Sequence, residues 1–431
     1  MLDFIGLSSL DELFTAVPEA LRLTRGLDVG PGLSEPDVLA EMDRLAGLNG
    51  ACGPDLLCFA GGGAYDHEVP SVVRRVAFRS EFVTAYTPYQ PEVAQGVLQA
   101  LFEYQTMIAR LTGLPVANAS LYDGATALVE GINLTAAASK KQRVLMSRGV
   151  NPFWRETVRT FAAGTGHELV DVPLGDGGAT AWPDDVSDIG TVVVQYPNYL
   201  GVIEDVAAAR QLADRLGALL IVAFDPVAAG LLKTPGSLGA DVVVGEGQPF
   251  GTPLSLGGPY LGLFACSMDQ VRRLPGRLVG ETVDAHGTRA YVTTLRTREQ
   301  DIRREKASSN VCTNQTLIAV CAVISLAWLG TSGLRDLALR CARGTRYCRE
   351  GLLAIDGVSP LADGPVLREF AVTTQIPAEK VVERMAESGY LAGIPLGHEY
   401  GENGLLVAVT ERRTREEIDG FVAAFEKVVR P

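Results

Sequence analysis

The sequence predicts an α/β protein: a large domain with a mainly parallel sheet, a helical N-terminal segment and a smaller C-terminal α+β domain. In the middle of the chain, short runs of β-branched and apolar residues alternate with amphipathic stretches, which is typical of helices packed around a sheet. These runs are apolar at nearly every position, as expected for strands buried on both faces. We place the divisions at residues 1–60, 61–315 and 316–431.

The N-terminal segment is predicted to be helical. Ser9 precedes Glu12 by three residues, which is the spacing of a capping box. Ser34 begins a second helix that we expect to reach Ala46, because Gly47 follows it.

The large domain is predicted to contain five parallel strands separated by helices. Two of the helices cover residues 127–138 and 206–216. The strands are residues 143–147, 191–196, 219–224, 241–244 and 260–265.

The C-terminal domain begins with an apolar helix, residues 316–329, that Gly330 is expected to end. The elements predicted after it are helix 334–354, strand 369–373, helix 378–388, strand 404–408 and helix 416–429.

Composition and charge exclude several classes of function. The 431 residues are 47% hydrophobic and 21% charged, and the net charge of −13 argues against nucleic-acid and anionic-membrane binding. The N-terminus has no basic region followed by an apolar core, and no uncharged apolar run reaches about 18 residues. The seven cysteines form no CxxC pair and the four histidines are scattered, so we expect free thiols, no metal and a cytoplasmic location.

Two strand ends carry residues typical of a cofactor site. Strand 219–224 ends at Asp225, and strand 241–244 runs into the glycine-rich turn 245–251. In one large class of α/β enzymes, such an aspartate lies under the pyridine nitrogen of pyridoxal phosphate (PLP), and a lysine on the later turn forms the Schiff base. The turn here carries Gln248 instead, and an amide does not form an imine.

None of the six lysines lies on that turn. Lys233, eight residues after Asp225, and Lys306, in a charged helical stretch, are the two that would have to serve if the chain were a self-sufficient PLP enzyme. The sequence keeps this alternative open.

Two further segments carry candidate binding residues. The glycine loop, residues 61–67, contains Gly61, Gly62, Gly63, Tyr65 and His67, and its glycines allow close approach of the backbone to a ligand. On composition a ligand-binding loop and a packing loop are equally supported, and a single histidine is more often structural than catalytic.

The tyrosine segment, residues 84–90, holds Tyr86, Thr87, Tyr89 and Gln90 in backbone stiffened by two prolines. It could form one wall of a pocket for a small polar ligand. Further on, small residues before helix 127–138 could seat a phosphate at its N-terminus, but Asp123 there is equally consistent with an ordinary acidic N-cap.

Four long runs resemble the P-proteins of the glycine cleavage system, and they occur in one order over nearly the whole chain. They are AGGGAYDHEVPSVV, the run from EFVTAYTPYQPEVAQG to ASLYDGATALVEG, GEGQPFGTPLSLGGPYLG and REQDIRREKASSNVCTNQ. The length and the absent lysine are similar to the α subunit, or subunit 1, of the two-subunit bacterial form. The resemblance implies the PLP-dependent transferase fold of type I.

The resemblance also implies a divided enzyme. A partner β subunit would carry the PLP lysine, at the position of Gln248 here. The pair would decarboxylate glycine and transfer its aminomethyl group to the lipoyl arm of the H-protein, in an α2β2 assembly.

Carried over to this sequence, the resemblance implies three groups of site residues. Tyr65, His67, Thr87 and Tyr89 would act in catalysis, and Gly61, Gly62, Gly63, Tyr86 and Gln90 would enclose the substrate. Asn310, Thr313, Asn314 and Gln315 would contact the cofactor across the interface. A noncatalytic scaffold subunit is a third alternative.

Overall fold

The structure is a computed structural model that describes residues 1–53, 56–83, 87–295, 307, 309, 311 and 313–430. The chain forms two compact units, Met1–Ala51 and Cys52–Pro431. The predicted boundary near residue 316 falls inside the second unit and stays a prediction.

In the first unit, the helix predicted after Ser34 is confirmed as Glu35–Ala46. The capping box predicted at Ser9 is wrong, because the Ser9 side chain makes no capping hydrogen bond. The element that follows it is the short 3₁₀ helix Leu10–Phe14. The hydroxyl and the N–H of Ser8 bond to Glu12 instead. The remaining elements of this unit are helix Leu2–Ile5 and 3₁₀ helix Glu19–Leu21.

The second unit is built on a seven-stranded sheet. Four of its neighbouring strand pairs are parallel and two are antiparallel. Its spatial order is Val116–Ala117, Gly262–Cys266, Val242–Glu246, Leu219–Phe224, Ile189–Tyr196, Arg143–Ser147 and Glu168–Val172. All five predicted strands exist, but Gly262–Cys266 is antiparallel to both neighbours, which corrects the prediction of a parallel strand there.

Helices cover both faces of this sheet, as the apolar strands predicted. Val192 and Val194 pack on one face with helices Gln95–Thr112 and Val206–Leu216, and Val193 packs on the other with helix Gly124–Ser139. Other helices of this unit are Ser71–Ala77, Ser80–Val83 and Pro152–Thr165.

The helical stretch Thr316–Leu353 is long and apolar enough to cross a membrane by length and composition alone. Gly330, however, has non-helical backbone angles (φ 61°, ψ −174°), so the apolar part ends after about 14 residues, roughly 21 Å. That is shorter than a bilayer core. Ala319 and Ala322 are fully buried in the protein core, which is consistent with a core helix.

The C-terminal part contains a four-stranded antiparallel sheet, in which the two predicted strands are confirmed and two short strands were not predicted. Its order is Ser359–Pro360, Glu369–Thr373, Gly404–Ala408 and Ile394–Pro395. Helices Ala378–Glu387 and Arg415–Val429 pack on it, and helix Gly397–Tyr400 is short. Separate two-stranded pairs are formed by Leu278–Val283 with Arg289–Thr294 and by Leu57–Cys58 with Tyr390–Leu391.

Candidate functional site

The carboxyl edge of the large sheet brings together the residues that suggested a cofactor site. Asp225 directly follows strand Leu219–Phe224, and Gln248 follows the neighbouring strand Val242–Glu246. Helix Gly124–Ser139 begins at the same edge, since the N–H of Gly124 donates to the Glu246 carboxylate. In open α/β sheets this edge is where ligands bind.

Gln248 is fully buried, and its side-chain amide bonds to the backbone of the glycine loop. Its Oε1 accepts from the N–H of Tyr65 at 2.9 Å, and its Nε2 donates to the carbonyl of Tyr65 at 3.0 Å. The same Nε2 donates to the carbonyl of Thr252 at 2.8 Å. The side chain on this turn therefore binds this chain's own loop.

The glycine loop is held from a second side by Glu369. Gly62 and Gly63 have φ of 73° and 118°, which side-chain-bearing residues rarely adopt. The N–H of Gly62 donates to Glu369 Oε1 at 2.5 Å, and the hydroxyl of Tyr65 donates to Glu369 Oε2 at 2.6 Å. Burial raises the pKa of Glu369 to about 7, although these two hydrogen bonds act in the opposite direction.

Arg368 lies at the centre of the pocket and is 3% exposed. Its Nη2 donates to Asp225 Oδ2 at 2.7 Å, and its guanidinium lies 3.4 Å from the centre of the Tyr65 ring. Burial and then the neighbouring Glu369 carboxylate raise the pKa of Tyr65 well above its ordinary value. The phenol is therefore neutral and acts as a donor.

His67 is buried, and both of its ring nitrogens have partners in this chain. Nδ1 lies 2.6 Å from Glu411 Oε2, and Nε2 bonds to Arg368 Nη1. Burial raises the pKa of Glu411, but the hydrogen bond and the charge of His67 outweigh it, so the net shift is downward.

The ligand atoms of His67, Glu411 and Cys341 lie within 4.8 Å of one another, a grouping that the scattered histidines did not predict. Burial, followed by the charge of Glu411, raises the pKa of the Cys341 thiol to about 12, so it stays protonated. The positive charge of the Arg368 guanidinium beside the His67 ring also disfavours a metal ion at this position. These side chains form a buried hydrogen-bond network, and the lack of a metal stays a prediction.

The N-terminus of helix Gly124–Ser139, the candidate phosphate seat, is occupied by carboxylates. Asp123 is its N-cap and accepts from the N–H of Thr126 at 2.8 Å. Glu246 accepts from the N–H groups of Gly124, Gln248 and Leu261 at 2.9 to 3.0 Å. Burial raises the pKa of Glu246 to about 8, although these three donors lower it.

The pocket beside Asp225 does not fit PLP. Its cavity of about 40 Å³ is bordered by Asn151, Trp154, Asp225 and Arg368. That volume holds about three waters, whereas pockets for small molecules are on the order of 300 Å³ or larger. Glu246 accepts from the helix N-terminal N–H that a phosphate would need, and Arg368 is the partner of the aspartate that would face a pyridine ring.

The tyrosine segment lies in a second group of contacts. Tyr86 is outside the described residues. Thr87 is buried and accepts a hydrogen bond from Arg277, whose guanidinium lies 6.0 Å from the ring centre of Tyr89. Tyr89 is 65% exposed, and Gln90 is also exposed.

Of the predicted cofactor-contacting residues, Asn310 lies outside the described residues. Asn314 is buried and donates to the carbonyl of Ala119 at 2.9 Å, and the N–H of Gln315 donates to the Ser120 hydroxyl at 3.2 Å. The N–H of Thr313 contacts the Tyr122 hydroxyl at 3.5 Å. All three therefore pack on the segment that leads into helix Gly124–Ser139.

The predicted site residues thus fall into two groups, one at the glycine loop and one around Arg277 and residues 119–122. Their catalytic and enclosing roles stay predictions. Sequence reasoning missed Arg277, Arg368, Glu369 and Glu411. The pair Arg368–Glu369 gave a signal, because two charges directly precede the apolar residues 370–372 of strand Glu369–Thr373.

A mainly parallel seven-stranded sheet, with Asp225 and the Gln248 turn at its carboxyl edge, defines the PLP-dependent fold of type I. A solved structure with this fold, the sphingosine-1-phosphate lyase of Burkholderia pseudomallei, superposes with a TM-score of 0.69 over 94% of this chain and 92% of its own, at 16% identity. This similarity concerns the fold alone.

The chain belongs to the glycine cleavage system P-protein family, because the sequence model of that family matches residues 1–425. It is 48% identical to a probable glycine dehydrogenase (decarboxylating) subunit 1 of Moorella thermoacetica, over 100% of this chain and 97% of that protein. The crystal structure of an inhibitor-bound glycine decarboxylase (P-protein) superposes with a TM-score of 0.94 at 45% identity, covering 99% and 97% of the two chains. The resemblance found in the sequence is confirmed.

Proposed function

We propose that this chain is the α half of a glycine decarboxylase. It assembles with a β subunit that holds PLP, and the pair decarboxylates glycine and passes the aminomethyl group to the lipoyl arm of the H-protein. The assembly is α2β2 and cytoplasmic. Its six described cysteines are free thiols, which is consistent with a reducing compartment.

The observation that carries this proposal is the filled pocket in a chain that matches subunit 1 proteins from end to end. Gln248 stands where the family's lysine is expected, and its side-chain amide is hydrogen-bonded to the main chain of Tyr65. A chain of this family without room for the cofactor needs a partner that provides it.

The residues of this chain then enclose and orient the substrate in a site shared with the partner. Tyr89 and Gln90 are exposed, and the ring of Tyr89 lies near the Arg277 guanidinium, so this surface can face a neighbouring subunit. Arg277 and the phenol of Tyr89 supply positive charge and a donor suited to a carboxylate or phosphate. Exclusion of water by such a wall favours loss of carbon dioxide over side reactions.

The structure argues against the self-sufficient alternative. Lys233 is exposed and does not border the cavity beside Asp225. Lys306 lies outside the described residues.

Assembly and spectroscopy test the divided enzyme. The purified chain is expected to show no near-visible aldimine band and no lysine labelled by borohydride in the presence of PLP. Mixed with the partner subunit and lipoylated H-protein, it is expected to restore glycine-dependent exchange of carbon dioxide. An aldimine on this chain alone would refute the proposal.

The scaffold alternative is tested by Tyr89→Phe and His67→Ala in the reconstituted complex. We expect each to lower the exchange rate by roughly tenfold, the value of about one hydrogen bond at a reacting site. Tyr347→Phe is the matched control, because Tyr347 bonds to Asp419 at 2.6 Å at the surface and its loss should leave the rate unchanged. Normal rates in both test variants would favour the scaffold.

A further inference from the structure

We infer that the cofactor pocket of this chain has become the internal anchor of the glycine loop, with Gln248 as its central positioning residue. The inference rests on the proposed function, in which the partner holds the cofactor. It assigns a task to residues that would otherwise be remnants of a lost site.

The first step is that the positions a cofactor would need are taken by side chains of the same chain. Glu246 binds the N-terminus of helix Gly124–Ser139, Arg368 pairs with Asp225, and the amide of Gln248 lies on the turn. A pocket that had merely decayed would be expected to fill with apolar groups, since buried polar groups are costly without partners. This pocket stayed polar.

The second step is that these polar groups converge on the glycine loop. Gln248 binds the backbone of Tyr65 through both its donor and its acceptor. Arg368 covers the ring of Tyr65 and bonds to His67, and Glu369 binds Gly62 and the Tyr65 hydroxyl. The pocket and the loop are therefore one hydrogen-bonded body.

The third step is that the loop needs such an anchor. Residues 61–67 form no helix or strand, and two positive-φ glycines allow the backbone many conformations. Apart from one backbone bond within the loop, from the N–H of His67 to the carbonyl of Tyr65 at 2.9 Å, its described hydrogen bonds are made with side chains from elsewhere. Among the described residues, Gln248 is the side chain that hydrogen-bonds to the main chain of Tyr65 at both the N–H and the carbonyl.

The chain offers a matched control in Gln105. This buried glutamine binds Val279 in the same two-point manner, with Oε1 accepting at 2.8 Å and Nε2 donating at 2.9 Å. Replacing either glutamine by methionine removes such a pair of hydrogen bonds at similar side-chain volume, and Gln248→Met also removes the bond to the carbonyl of Thr252. The two variants therefore differ in the segment that they release.

The experiment compares Gln248→Met with Gln105→Met in the complex with the partner subunit. We expect amide hydrogen exchange at Tyr65 to rise about 30-fold in Gln248→Met only, as for two net hydrogen bonds, and exchange at Val279 to rise in Gln105→Met only. The kcat/KM for glycine should fall at least about tenfold in Gln248→Met while the PLP spectrum of the partner is unchanged. Unaltered exchange at Tyr65 would overturn the inference.

A second variant keeps the test informative if Gln248→Met does not fold. Gln248→Lys restores the lysine but leaves Glu246 and Arg368 in place, so the chain alone should still bind no PLP and give no borohydride-stable adduct. Stoichiometric labelling of the introduced lysine would show that the pocket is open and refute the anchor. Absence of decarboxylation in the wild-type complex would instead refute the proposed function. The anchor would still be testable, because amide hydrogen exchange at Tyr65 and PLP binding by the chain do not depend on decarboxylation.

Discussion

At the scale of the residue, Glu246 shows how a side chain can take over a ligand's position. Its carboxylate receives three backbone N–H groups, among them the first of helix Gly124–Ser139. Such groups bind anions well, because they are unpaired within the helix and lie at its positive end. The cost is burial, which raises the pKa of Glu246 to about 8 from the ordinary 4.5.

This shift predicts a pH-dependent contribution to stability. The folded chain holds the proton on Glu246 more tightly than the unfolded chain, so this contribution is fully present below pH 4.5 and is lost as pH rises to about 8. Glu246→Gln mimics the protonated form. As pH rises from 4.5 to about 8, the thermal midpoint of the wild type should therefore fall relative to that of Glu246→Gln. A constant difference between the two midpoints would show that the pKa of Glu246 is not raised.

Residues near the chain's strand ends could be predicted from sequence, whereas their partners could not. Asp225 and Gln248 directly follow recognisable strands, so their meeting at one edge follows from parallel geometry. Arg368, Glu369 and Glu411 reach the glycine loop from about 300 residues away in sequence. No local pattern encodes a contact of that separation, and so the anchoring of Tyr65 and His67 emerged only from the structure.

At the scale of elements, apolar runs located the strands but not their directions. Strands Leu219–Phe224 and Arg143–Ser147 match their predicted bounds. Their interior positions are all apolar, and polar residues occur only at the ends of the second one. Strand Gly262–Cys266 is buried at every position like the parallel strands, but it is antiparallel. Burial on both faces of a sheet does not depend on the direction of the strand. Helix Gln95–Thr112 went unpredicted although Leu98, Leu101 and Ile108 follow helical spacing.

The close packing of the glycine loop predicts that Gly61 tolerates no side chain. A methyl group there would overlap the Glu369 carboxylate and lie 2.6 Å from the Tyr65 ring and 2.7 Å from Ala408. We expect Gly61→Ala to lower the unfolding free energy by about 1–3 kcal/mol, the cost of overpacking a well-filled site. It should also reduce decarboxylation in the complex.

Gly96→Ala provides the control for this substitution. Gly96 lies in helix Gln95–Thr112, and an added methyl group meets no atom within 4 Å. Alanine there should stabilise the chain by up to about 1 kcal/mol through helix propensity. Equal thermal midpoints for the two variants would contradict the packing argument.

At the scale of the whole molecule, the two compact units differ in what they bury. The buried residues of the hydrophobic core clusters lie between Phe59 and Val429, within the second unit. The helices of Met1–Ala51 contain no buried residue, and Phe4, Leu21 and Leu27 are among its exposed apolar side chains. A segment of about 50 residues without a core gains little stability from its own packing.

We therefore expect deletion of residues 1–51 to leave the thermal midpoint of the remaining chain within about 2 °C of the full chain, because its core is intact. Association with the partner subunit should weaken, since exposed apolar surface of this kind is typical of protein interfaces. Calorimetry of the isolated chains and sedimentation of each with the partner measure the two effects. A large fall in the midpoint would assign the segment to folding, and unchanged association would remove it from the interface.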